Sequence, residues 1–323
     1  MRRLFGGISG FVIRRIALGA LTLVVVSLII FAATQALPTD PAKALLGRNA
    51  TPDSLRALRE QLHLNRPVVD QYLSWAKGML TLNPGTSIAS GDPVTKVISD
   101  AIVNSAFLVL CSSLIAIPLA LGIGIYAAIR RDRLFDTSSS LVLLMLAALP
   151  EFVVGIALVL LFATVVFSFL PPDALIPPGS RPWQHLRELV LPVATLSIAV
   201  APYIARFMRA SLIEVLESDY VEMARLKGLP EREVVLRHAI PNAIVPSIQA
   251  IALTLVYLAG GIVAVEFVFS YPGIGAKLVD SVNNRDVPIV QAVSLLIAAV
   301  YVVVNLLADI ATILVSPRVR TSL

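Results

Sequence analysis

Charge is scarce in this 323-residue sequence: Asp, Glu, Lys and Arg make up 15% of it, against about 25% in an ordinary soluble domain. Cysteine is almost absent. The single Cys111 excludes an intrachain disulfide and with it a secreted disulfide scaffold. The three histidines, His63, His185 and His238, fall in separate segments with no cysteine or carboxylate at ligand spacing, so no metal centre is expected. No G-x-x-x-x-G-K-[ST] stretch occurs, so the chain lacks the loop and lysine that cradle nucleotide phosphates. A nucleophile with a base at useful spacing is missing too, and no enzyme is expected. The halves show no internal repeat.

What remains is apolar. Hydrophobic residues make up 57% of the chain. A helix crossing the membrane needs about 20 mostly apolar residues, because each adds about 1.5 Å and the hydrocarbon core is about 30 Å thick. Six stretches qualify: Ile16 to Leu37, Ser105 to Ile129, Leu141 to Leu170, Leu189 to Phe207, Ile248 to Phe269 and Ile289 to Val315. An all-α protein with several spans is therefore expected. Pro118, Pro150, Pro192 and Pro202 lie inside these stretches and are expected to kink them, since neighbouring helices in a membrane can satisfy freed carbonyls. Arg14 and Arg15 precede the first stretch. Its apolar run exceeds the 7 to 15 residues usual for a cleaved signal, which favours an uncleaved span.

The net charge of +5 bears on topology before it bears on nucleic acid, for which there is no expectation. With both termini in the cytoplasm, 15 of the 26 Lys and Arg fall on inner segments: Arg2, Arg3, Arg14, Arg15, Arg130, Arg131, Arg133, Arg206, Arg209, Arg225, Lys227, Arg232, Arg237, Arg318 and Arg320. The short outer loops hold only Arg181, Arg187, Lys277 and Arg285. The long outer segment holds the rest, and long loops say little about topology. The expected organisation is an N-terminal tail and first span over 1–37, an extracytoplasmic segment over 38–104, a five-span core over 105–315 and a C-terminal tail over 316–323. In the outer segment Thr51 can cap a helix with Pro52 at its first position and Leu55, Leu58 and Leu62 on one face. The stretch NRPVVDQYLSWAKGML suggests a second helix with Tyr72 and Trp75 at the membrane interface.

One inner segment, 208–247, is charged and helical in pattern. MRASLIEVLESDYVEMARLKG continues the fourth span with apolar residues near 3.6 spacing, and Gly228 ends it. LPEREVVLRHAIPNAIVPS restarts a helix near Pro230, with Pro241 and Pro246 expected to bend the chain back into the bilayer. Periodicity alone allows either a solvated connector or a knob gripped by a soluble partner.

Glu222-Met223-Ala224, then Gly228, then Ile240-Pro241 resemble the EAA loop of binding-protein-dependent ABC importer permeases, with Met223 in place of the usual first alanine. GGIVAVEFVFSYPGIGAKLVDSVNNRDVPIVQAVSLLIAAVYVVVNLLADI, the following SPRVR, and the N-terminal RRIALGALTLVVVSLIIFAATQALPTDPA are similar to the peptide and nickel branch of that family. Thr39, His63 and TLNPGTS depart from its usual pattern, all in or beside the outer segment. The resemblance implies a type I permease fold in a bacterial inner membrane, and one half of a path for oligopeptides or dipeptides. Nickel, another small chelate or a glutathione-like peptide is the alternative cargo. It implies a second homologous permease, two cytoplasmic ATPase subunits that use ATP and Mg, and an extracytoplasmic substrate-binding protein. No cofactor is expected on this chain. It also implies that Glu222, Met223, Ala224, Leu226, Lys227, Gly228, Leu229, Ile240 and Pro241 make or shape the ATPase contact. A transporter driven by an ion gradient and a non-transporting scaffold are the competing classes, although paired broken helices with buried carboxylates in inverted symmetry are weakly represented.

Among polar residues of the spans, Glu151, Glu266, Asn305 and Asp309 are expected either at helix interfaces or on the path, because an acidic group facing lipid at the bilayer centre costs about 2.5–3.5 kcal/mol. Arg206 and Arg209 are expected at the inner headgroup level. Gly122, Gly124, Gly260 and Gly261 would let helices approach closely.

Overall fold

A computed structural model describes residues 8–36, 51–61 and 66–315; the tails at either end, Thr39, Leu62 and His63 lie outside them. The described residues fold into helices, and in the apolar stretches they do so because a helix satisfies its backbone groups within its own segment, as lipid requires. In chain order these are α1 (Ile8–Gln35), α2 (Pro52–Gln61), α3 (Val68–Leu80), α4 (Val94–Ile129), α5 (Leu134–Ala147), α6 (Glu151–Val159), α7 (Val190–Leu216), α8 (Asp219–Leu226), α9 (Ile240–Val268), α10 (Ile274–Asn283) and α11 (Val287–Val315). Among the described residues five helices are long and apolar enough to span a membrane, and the bent pair α5–α6 makes a sixth crossing if counted as one. No β-strand occurs among the described residues.

The core is a stack of α4, α7 and α9. Leu108 and Ala116 of α4 meet Leu191, Leu196 and Val200 of α7 and Leu258, Ile262 and Val265 of α9, all buried. Gly124 allows the closest approach: a Cβ there would lie 2.4 Å from the Ala205 carbonyl oxygen. At Gly122 a Cβ would meet nothing within 4 Å, so close packing is the role of Gly124 and not of Gly122. The surroundings of Gly260 and Gly261 lie outside what the structure describes.

α11 packs on α9, and α1 lies outside α11. Two polar ties fix that outer helix: Gln291 Nε2 donates to Thr34 Oγ1 at 2.7 Å, and Arg15 Nε meets Asp309 Oδ2 at 3.1 Å. α3 leans on α1 through Phe31, Tyr72 and Trp75, with ring centroids 5.4–5.9 Å apart, and Ser27 Oγ lies 2.8 Å from Tyr72 Oη. The expected outer helices are present, and Thr51 Oγ1 accepts the Ser54 amide at 3.2 Å as the N-terminal cap. The TLNPGTS stretch leads into a loop held by Asp286, whose carboxylate accepts from Ser87 Oγ and from the amides of Ile88 at 3.1 Å and Ala89 at 3.3 Å.

Several expectations from sequence need correction. Leu141 to Leu170 is not one kinked helix: α5 and α6 meet at 101°. Pro150 has no amide hydrogen and disfavours helix at Leu149, so a new helix begins at Glu151 instead. Pro192 does not kink α7, because it lies in the first turn where amides need no partner within the helix. Pro241 stands in the first turn of α9 and Pro246 inside it. A π-helical turn, Val234–Ala239, precedes Ile240 and leads directly into α9.

Candidate functional site

One end of the bundle carries a projecting hairpin. The span does not run unbroken to Gly228, as its periodicity suggests; α7 ends at Leu216 and Ser218 opens the separate α8. Ser218 has extended backbone and turns its hydroxyl back, Oγ donating to the Val215 carbonyl at 2.5 Å. Asp219 and Glu222 sit in the first turn of α8 and Arg225 in its last, charges that match the helix dipole.

Gly228 closes the hairpin. Its φ is +82°, its amide donates to the Arg225 carbonyl at 2.9 Å, and the Leu229 amide donates to the Ala224 carbonyl at 3.4 Å. These paired bonds are the Schellman closure, in which a left-handed residue satisfies the last carbonyls of a helix. Leu229 packs beneath it against buried Val221, Ala224 and Val234. Arg225 then straddles the turn, Nη2 to Glu231 Oε1 at 2.8 Å, Nε to Oε2 at 3.1 Å and Nη1 to the Leu216 carbonyl at 3.2 Å. The hydrogen bond to Glu231 raises the guanidinium pKa and desolvation opposes it. Arg225 was not singled out from sequence; its neighbour Glu231 six residues on was the available signal.

The hairpin divides the candidate residues. Ala224 is buried and Leu229 half-buried, so they shape the turn from inside. Glu222, Lys227 and Gly228 are exposed, as are Met223 at 54% and Leu226 at 74%, which with Tyr220 make an apolar ridge. Ile240 is half-buried at the base and Pro241 is exposed.

This projection is fixed to the spans. Ala128, Met208, Leu212, Ala239 and Ala243 form a buried cluster where α4, α7 and α9 converge. Ser211 Oγ and Ser247 Oγ both donate to the Ala243 carbonyl, at 3.0 and 3.1 Å. Across the α4–α5 turn, Arg131 pairs with Glu217. Arg209 reaches Asp136 with two bonds, Nε–Oδ1 at 2.5 Å and Nη2–Oδ2 at 2.7 Å. Of the two arginines expected at the inner headgroup level, Arg209 is held in this largely buried ion pair and Arg206 is exposed.

The polar candidates in the spans separate. Glu266 is fully buried, accepting from Ser105 Oγ at 2.5 Å and from the amides of Gly275 and Ala276 at 2.8 and 3.0 Å. It therefore caps α10 and ties that helix to α4 and α9. Asp309 is taken by Arg15, and Asn305 Nδ2 donates to the Tyr301 carbonyl of its own helix at 2.9 Å. Glu151 differs: it is half-buried, and its Oε2 accepts from the exposed Tyr257 hydroxyl at 3.0 Å.

The family model described as binding-protein-dependent transport system inner membrane component matches residues 120–321. A second, described as Binding-prot-dependent transport system membrane comp, N-term, matches residues 8–101. The chain is 34% identical over 312 residues to a probable peptide ABC transporter permease protein, y4tP, of Sinorhizobium fredii, covering 96% of this chain and 99% of the relative. It is 35% identical over 311 residues to the glutathione transport system permease protein GsiC of Escherichia coli (strain K12), covering 96% and 98%. Together with the all-helical, multi-span architecture, these matches show that the chain belongs to the binding-protein-dependent transport system inner membrane components, the type I permeases of ABC importers.

Proposed function

We propose that this chain forms one half of the translocation path of an ATP-driven importer of small peptides, and that the α8 hairpin is where ATPase subunits grip it. The observation that carries the coupling role is the ridge of Tyr220, Met223 and Leu226, apolar and exposed on a projection whose other face is fully packed. A monomer gains nothing by presenting such a ridge to water; a groove that covers it does. The excess of inner cations orients the hairpin toward the cytoplasm.

In this reading Met223, Leu226, Lys227 and Glu222 contact the ATPase. Ala224, Gly228 and Leu229 set the shape of the contact, and Ile240 with Pro241 form its base. ATP and Mg act on the partner ATPase subunits and not on this chain. Their closing and separation would move the hairpin, and through the Met208–Ala243 cluster the spans, as rigid bodies between two arrangements. A second permease completes the path, and an outer binding protein delivers cargo. The names of both relatives point to peptides, including a glutathione-like tripeptide.

The test is reconstitution of the whole importer with the Leu226→Glu permease. Copurification of the ATPase subunits and ATP-driven peptide uptake should both fall to background, while the thermal midpoint of the permease itself stays within error. Uptake that persists, or that runs on an ion gradient without ATP, overturns the reading.

A further inference from the structure

At the hairpin end of the bundle α5 and α7 leave a cleft of about 630 Å³ between them. Ser140 and Leu144 line it from α5, and Tyr203, Arg206, Phe207 and Arg209 from α7. Arg209, Arg206 and Tyr203 succeed one another at three-residue steps on α7, about 4.5 Å each along the axis. Phe207 ends the apolar stretch that begins at Leu189. The cleft therefore starts where the span leaves the hydrocarbon and runs less than two turns into it. Its walls suit that depth: Leu144, Tyr203 and Phe207 are exposed, and so are Leu141, Val142 and Met145, which flank Leu144 on α5.

The charge in the cleft is one unpaired cation. Arg209 is taken by Asp136 with two bonds, and that pair is neutral as a unit. Arg206, one turn deeper, is exposed and makes no ion pair or side-chain hydrogen bond with the described residues. The acids at this end offer it nothing. Asp132 and Glu217 both pair with Arg131. Glu214, exposed eight residues further along α7, is about 12 Å away along the axis, beyond the roughly 8 Å over which exposed charges act at physiological salt.

A guanidinium at the edge of the hydrocarbon is costly unless its head reaches water or an anion. Here the lone cation stands at the headgroup end of a trough with apolar walls, which opens beside an apolar helix face. That outline fits a phosphate carrying acyl chains, and basic pockets between spans on the cytoplasmic side are where anionic headgroups bind. The cation excess of the inner segments puts the hairpin end on that side.

We propose that the α5–α7 cleft is a site for an anionic phospholipid of the inner leaflet. Its phosphate oxygens accept from the planar fork of Arg206, and an acyl chain lies along Leu144, Tyr203 and Phe207. The site needs the orientation of the spans and nothing of cargo, ATP or coupling, so it goes beyond the importer reading.

The experiment titrates the complete importer, delipidated in detergent, with phosphatidylglycerol and with phosphatidylcholine of the same chains, and counts bound lipids by native mass spectrometry. A site that prefers phosphatidylglycerol should fill first. Arg206→Gln should lower that preference about fivefold, the size of one arginine near an anionic surface, and Arg206→Lys should keep most of it. Arg133→Gln removes an equal charge from an exposed position outside the cleft and should leave the preference unchanged. Leu144→Trp keeps the charge and fills the trough, so it should weaken the binding of both lipids. Ala210→Glu, exposed on the same wall, repels the phosphate and makes the same test as Arg206→Gln if that variant does not assemble.

Equal losses from Arg206→Gln and Arg133→Gln would reduce the effect to general surface charge and overturn the site. Binding unaltered by Leu144→Trp overturns it too, as does displacement of the lipid by inorganic phosphate, which has no chains to seat. A complete importer that holds no selective lipid means that a partner subunit covers the cleft, and this also ends the proposal. No cargo or nucleotide is present, so a failure of the importer reading does not register in this measurement.

Discussion

Arg209 and Asp136 are 73 positions apart and form a two-bond ion pair, with Nε–Oδ1 at 2.5 Å and Nη2–Oδ2 at 2.7 Å. Asp136 also accepts the Asp132 amide at 3.0 Å, so one carboxylate locks the α4–α5 turn onto α7. Its own pairing with an arginine makes removal of one partner costly, because the other charge is stranded in a poor solvent.

Asp136→Ala should lower the stability of the assembled permease by about 1–3 kcal/mol, below the roughly 3–5 kcal/mol of a fully buried pair because Arg209 keeps partial solvent contact. Arg209→Ala should do the same, and the double substitution should cost less than the two singles added together. Unfolding midpoints of the four variants in one detergent measure this cycle. Additive losses would mean that the two side chains act independently.

Glu266 tests the difference between a path residue and an interface residue. Glu266→Ala strands the Ser105 hydroxyl and the Gly275 and Ala276 amides, each of which costs roughly 1–3 kcal/mol when buried without a partner. A large drop in thermal midpoint is expected, and Glu266→Gln, which keeps an acceptor oxygen, should recover part of it. A path residue would show the reverse: normal midpoints for both and a change in which peptides are carried.

The polar ties show what sequence could and could not provide. The spans were legible because 20-residue apolar runs have one solution in lipid, and Gly228 was legible because a glycine between two amphipathic runs has one plausible use. The polar residues were visible as oddities, but their partners were not. Glu266 takes its donors from Ser105, 161 positions away, and from a helix start nine residues ahead, and nothing local encodes the first. Asp136 and Asp286 passed unnoticed because an acid beside a loop looks solvated until the fold buries it. The break at Pro150 was foreseen only as a kink, since proline announces the missing amide and not the angle that packing then selects.

Gly124→Ala should loosen the bundle at one place. The added Cβ would sit 2.4 Å from the Ala205 carbonyl oxygen and 3.0 Å from Met208 Cβ, and backbone cannot swing aside as a long side chain can. Overpacking of this kind costs about 1–3 kcal/mol. Gly122→Ala, two residues earlier with nothing within 4 Å, is the matched control and should leave the midpoint unchanged or slightly raised. Equal effects at the two glycines would show that α4 and α7 are not in the contact described.

Gly228 separates shape from space. A Cβ there meets nothing within 4 Å, so any effect of substitution comes from its φ of +82° and not from a clash. Gly228→Asn should be tolerated, since asparagine visits left-handed backbone readily, and Gly228→Ala should cost about 1–2 kcal/mol. Gly228→Val should go furthest, because a β-branched residue at positive φ is a true outlier and the turn would open by releasing the Leu229–Ala224 bond. The permease should still insert and keep its span packing, yet ATP-driven uptake should fall in the order Gly, Asn, Ala, Val while ATPase turnover by the partner subunits continues. Uptake by the Val variant equal to that of the unsubstituted importer would remove the hairpin from the coupling path.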